Sequence, residues 1–187
     1  EGLGFELIQL ANGNNHYSSG NISSKDAYRF KAAQIAEGSS FPVISRKKAL
    51  ERYGQQSWYK SCVKNDKYST DENEEKNGYN NNLFEKNYAK VKSSNDFAEE
   101  PLGFVSGSPF PSDDIVTYWC GLCGETTEPV RHNGTLDGFT GFGNEVYHHF
   151  THHEVFQAIL RFGRELSDDT KVTVYINTEA IPNWLSD

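Results

Sequence analysis

Between Gly4 and Leu10 apolar and polar side chains alternate closely enough to predict a first strand, and the polar cluster Asn12 to Asn15 forms a turn behind it. From Ser24 the spacing changes. Ala27, Phe30 and Ala33 or Ile35 recur at helical intervals, Ser23 or Ser24 can cap the start and Gly38 can end it, which predicts a helix of about fourteen residues. A weaker helix is expected from Arg46 to Tyr53, before the aromatic stretch at Trp58 and Tyr59. Residues 64–82 are rich in Asn, Lys, Glu and Asp without hydrophobic periodicity, the pattern of a long solvated loop.

Beyond the loop the chain becomes strand-like and punctuated by turns. Strands are expected at Leu83 to Val91, Leu102 to Val105, Ile115 to Trp119 and Thr126 to Arg131. The end differs again: Thr151 and Glu154 stand at capping-box spacing before Val155, Ile159, Leu160 and Leu166, and Lys171 to Asn177 alternates as a strand. The pattern predicts an α+β fold, one long helix packed on an antiparallel β-sheet, with a C-terminal helix-strand extension. Residues 1–142 form the main domain with a polar insertion at about 43–78, and residues 143–187 the extension packed on it.

Composition supports a folded globule. The chain has 187 residues, 36 % apolar, with 12 Phe, 10 Tyr and 3 Trp. Methionine is absent and two sequons, at Asn21 and Asn133, suit glycosylation, so the expectation is a secreted chain, with delivery into host cells as an extension of that reading. No apolar run approaches the ~18–20 residues that span a bilayer, so no membrane partner is expected. The formal charge of −8 argues against affinity for nucleic acid through phosphate neutralisation, and against DNA as a partner. Cys62, Cys120 and Cys123 allow one internal disulfide, drawn in three ways, and leave a thiol that could pair between chains. A bridge from Cys62 to Cys120 would close a loop of about 59 residues, worth roughly 4 kcal/mol on the chain-entropy account.

Five local patterns occur in order. Tyr17 to Ile22 precedes the first helix, which ends in Gly38, Ser39, Ser40, Phe41 and Pro42. Tyr79, Asn80 and Asn81 are followed by Phe84 and Glu85. Glu99, Glu100, Pro101 and Leu102 come next, then Pro111 to Tyr118, then Val130 to Thr135 with His132 inside it. Together they resemble the fungal guanyl-specific ribonucleases over about residues 14–142. The resemblance implies a microbial ribonuclease-like fold, Glu99 as the catalytic base, His132 as the general acid, and Tyr79, Asn80, Asn81 and Glu85 as the base-binding loop. It departs at Val43 and Ile115, where that family carries a histidine and an arginine.

A carboxylate and an imidazole suffice for the proton exchange of RNA cleavage, which would leave a 2′,3′-cyclic phosphate. Without a cation the transition state loses a stabiliser worth about a hundred- to a thousandfold in rate. The expectation is therefore a secreted ribonuclease-like effector with an incomplete site, binding a host protein or RNA without a cofactor. An active endoribonuclease or ribotoxin-like toxin is the rival. Trp58, Tyr59, Tyr118 and Trp119 offer rings for base stacking, although core packing is their commoner use. A third reading is a zinc-stabilised extracellular module, with Cys120, Cys123, His148 and His152 as ligands; His149 and His153 repeat the i, i+4 spacing.

Overall fold

The computed structural model describes residues 4–11, 23–65, 82–178, 180 and 181. Along the chain run β1 (Phe5–Gln9), α1 (Ser24–Glu37), β2 (Val43–Ser45), α2 (Lys47–Tyr53) and α3 (Ser57–Cys62). Then come β3 (Glu85–Asn87), α4 (Tyr88–Val91), β4 (Leu102–Ser106), α5 (Asp113–Leu122), β5 (Pro129–His132), β6 (Thr135–Phe139), α6 (Phe142–Ile159) and β7 (Val172–Asn177). Five strands form one sheet in the order β1-β7-β4-β2-β3, and every neighbouring pair is parallel. The expected antiparallel sheet is thus replaced by a parallel one. β5 and β6 stand apart as an antiparallel hairpin.

Parallel pairing demands crossovers, and these explain the layers. The chain steps one way across the sheet from β1 to β2 and on to β3, then back through β4 to β7. Because such crossovers are right-handed, α1, α2 and α3 fall on one face and α4 and α6 on the other. The two main cores follow that division. Phe30, Ala33, Leu50, Tyr53 and Tyr59 pack on Val43, Phe104 and Tyr175; Tyr88, Val91, Val155, Ala158 and Ile159 pack on Ile44, Val105 and Val174. Adjacent strand residues thus serve opposite cores, as the two-residue period requires. Gly103 in β4 makes the second core possible, since a Cβ there would lie 2.4 Å from the Phe162 ring.

Several local expectations hold. The helix at Ser24 forms with Ser23 as its cap and Asp26 closing a capping box, and Gly38 ends it at φ 64°. Others change. Ile115 to Trp119 is helical: its β-branched and aromatic residues suit a strand, but Ser112 precedes two acidic first-turn residues, Asp113 and Asp114, which favour a helix N-terminus. The expected strand from Leu83 to Val91 divides into β3 and α4, with the Asn87 side chain accepting from the Lys90 amide. Thr151 opens no helix; it lies buried inside α6, and its hydroxyl donates to the Tyr147 carbonyl. Finally, β7 is an interior strand between β1 and β4, its six residues buried, so residues 143–187 contribute to the centre of the sheet.

A third, smaller core lies beside the sheet. Val116 and Cys120 of α5 meet Leu136 and Phe139 of the hairpin and Tyr147 of α6. The amino-terminal half of α6 serves this core and its carboxyl-terminal half the sheet, so one helix joins both.

Candidate functional site

In an open parallel sheet the strands' carboxyl ends border a crevice wherever successive connections leave toward opposite faces. Here that point lies between β2, which continues to α2, and β4, which continues toward α5 and α6. The last row of the sheet is polar: Ser45 is in register with Ser106, and Ser106 with Asn177, and all three are fully buried. Polar groups so buried require partners. Ser45 Oγ donates to the Ser106 carbonyl at 2.7 Å. Asn177 Nδ2 donates to Ser106 Oγ and to Asp26 Oδ1, each at 3.0 Å, and Asn177 Oδ1 accepts from Arg29 Nη1 at 2.8 Å.

The Tyr53 hydroxyl lies 3.2 Å from Asp26 Oδ2 and 3.0 Å from Ser106 Oγ. One proton assignment satisfies the set: Asn177 donates to Ser106, Ser106 to Tyr53, and Tyr53 to the carboxylate of Asp26. Asp26, fully buried, also accepts from the Ser23 amide at 2.9 Å and lies 3.8 Å from Arg29.

Arg46 follows Ser45 directly, at the carboxyl end of β2. Its guanidinium lies 4.7 Å over the Phe110 ring, near the phenols of Tyr88 and Tyr147. Burial lowers the Arg46 pKa and raises those of the two phenols, which keep their protons near neutral pH. Tyr88 donates its proton to the Gly107 carbonyl at 2.5 Å, fixing the first residue after β4. The carboxyl end of β2 thus carries a partly buried guanidinium packed against aromatic rings, with the carboxylates of Asp137 and Glu154 acting on the same two phenols. Lys47 and Lys48 continue the positive charge along the exposed side of α2.

The residues expected from the ribonuclease resemblance fall on different elements. Glu99 is exposed in the turn before the amino end of β4. His132 is exposed in β5, next to Arg131, which pairs with Asp113 at the start of α5, beyond the carboxyl end of β4. Tyr79, Asn80, Asn81 and Asn21 lie outside the described residues. Asn133 and Gly134, at φ 49° and 77°, are the two turn residues between His132 and Thr135, a type I′ hairpin signal that the sequon reading overlooked.

Glu85 is placed in β3, where its carboxylate accepts from the Tyr59 hydroxyl. Burial pushes the Glu85 pKa from 4.5 up to about 7, with the Tyr59 bond acting the other way. The folded state consequently holds this proton more tightly than the unfolded chain, and stability from this group falls as pH rises from about 4.5 to about 7. The expected loss is about 2 kcal/mol, discounted for the partial exposure of the side chain. Urea denaturation across that pH range should show a shallower fall in Glu85→Gln; an unchanged slope would assign the effect elsewhere.

All three cysteines are free thiols. Cys62 is buried against α1 and Cys120 in the separate α5 core, so the expected bridge between them does not form. Cys123 is exposed. The zinc set does not assemble either. The rings of His148 and His152 lie 5.0 Å apart on α6 with their planes tilted by 55°, yet among the described residues no three His, Cys, Asp or Glu side chains converge as metal ligands.

Sequence reasoning missed Asp26, Ser45, Arg46, Ser106 and Asn177. Their signal was three apolar strands each ending in a small polar residue, at Ser45, Ser106 and Asn177. It becomes legible only when the strands are parallel, because then their ends align. Comparisons with protein-family models, with curated proteins and with solved structures find no match.

Proposed function

We propose that the chain binds a small phosphate-bearing molecule at the carboxyl edge of its sheet, with Arg46 as the anion anchor. The carrying observation is the position of that half-buried guanidinium, at the switch point between β2 and β4 and over the ring of Phe110. A guanidinium offers phosphate a two-pronged set of donors, and partial burial strengthens each bond. The buried Asp26–Tyr53–Ser106–Asn177 network ties together the same carboxyl edge of the sheet. The formal charge of −8 favours a small ligand over a long polyanion. An RNA fragment is the member of this class that the ribonuclease resemblance implies.

Calorimetric titration with inorganic phosphate and with a guanosine-containing dinucleotide tests the reading. Both should bind, and Arg46→Ala should weaken each by about ten- to a hundredfold, the worth of a charged hydrogen bond. Equal affinity in the variant would remove Arg46 from the site. Cleavage of the dinucleotide that disappears in both Glu99→Gln and His132→Ala would favour the ribonuclease reading instead.

A further inference from the structure

Helix α5 is apolar on two sides. Val116 and Cys120 face the small core, fully buried. Ile115, Tyr118, Trp119 and Leu122 follow the spacing i, i+3, i+4, i+7 and form a second stripe, exposed by 44, 64, 47 and 61 %. Four large apolar side chains aligned in water are the pattern by which one protein reads another, whereas scattered ones need no explanation. Beside the stripe runs a groove of about 530 Å³ between α5 and α6, walled by Trp119, Phe142, Val146 and Phe150. Trp119 and Phe150 stand 6.2 Å apart across it.

The charge around this surface selects the occupant. From Asp113 to Glu154 the chain carries seven carboxylates and one arginine; that arginine, Arg131, pairs with Asp113, and Glu154 pairs with Lys92. Asp114 and Glu125 are exposed near the two ends of α5, and Glu145 lines the groove. A second copy laid on this face would bring like charges together, which costs affinity. We infer that the surface takes a basic amphipathic helix of a partner protein. Its apolar side fills the groove and covers Trp119 and Leu122, and its lysine or arginine flanks meet Asp114, Glu125 and Glu145.

Three labelled helical peptides, composed of Leu and Lys, Leu and Glu, or Lys and Gln, test this by fluorescence anisotropy against the whole chain. The Leu/Lys peptide should bind, weaken with added salt, and lose at least about tenfold in affinity to the Trp119→Ser, Leu122→Ser double variant. Glu125→Lys with Glu145→Lys should cause a comparable loss, and the Leu/Glu peptide should not bind the unaltered chain. These side chains are at the surface, so unchanged circular dichroism and urea midpoints would show that the variants keep the fold. Failure of the Leu/Lys peptide to bind, equal binding of the Lys/Gln peptide, or undiminished affinity in the double variant would overturn the inference. So would sedimentation of the unaltered chain as a dimer that the double variant disperses, because the occupant would then be a second copy.

Discussion

Replacing Phe30 by alanine is expected to cost about 3–5 kcal/mol, much of the 5–15 kcal/mol that holds a typical domain together. Phe30 is fully buried, and its ring centroid lies 4.0 Å from that of Phe104, 5.3 Å from Tyr53, 5.4 Å from Tyr59 and 5.5 Å from Trp58. One side chain therefore fastens α1, α2 and α3 to the central strand β4. Its removal opens a cavity whose walls belong to four different elements, which cannot all relax inward together. The measurement is the urea midpoint at constant denaturant slope. Tyr28→Ala, on the same helix but 78 % exposed, should stay within about 0.5 kcal/mol of the unaltered chain. A loss below about 1 kcal/mol in Phe30→Ala would contradict this packing.

Asn177→Ala is expected to cost a similar amount, about 3–5 kcal/mol, by a different route. The amide donates to Asp26 and Ser106 and accepts from Arg29, so its loss removes one partner each from a buried carboxylate, a hydroxyl and a guanidinium at once. Very little apolar area is lost in this change, which makes the polar network its dominant cause. A double-mutant cycle with Asp26→Ala should return a coupling of about 1–3 kcal/mol, because the second removal costs less once the first partner is gone. Additive losses would mean that the two residues act independently.

The chain announces some of these features and conceals others. α1 was legible because Ser23, Phe30, Ala33 and Gly38 agree on both its period and its ends. β1, β4 and β7 were legible as strands, yet not as parallel neighbours. Residues Phe5 and Val172 pair although 167 positions separate them, and no local pattern encodes such a pairing. β2 and β3 have three residues each, too few to establish a period. α5 was misleading because Ile115, Val116, Thr117, Tyr118 and Trp119 all favour strands, while Asp113 and Asp114 recorded the true start. The candidate site was the least legible part. Ser45, Ser106 and Asn177 come from strands far apart in the chain, and only sheet register brings them into one row.

The interior place of β7 also governs the order in which the molecule can be completed during synthesis. β1 and β4 are made early, yet neither touches the other in the finished sheet; each pairs with β7. Until residues 172–177 leave the ribosome, the growing chain holds two strand edges with no native neighbour and an apolar gap between them. Such edges are templates for pairing with other chains. β7 thus closes the sheet, and the time spent waiting for it is an interval of exposure to aggregation.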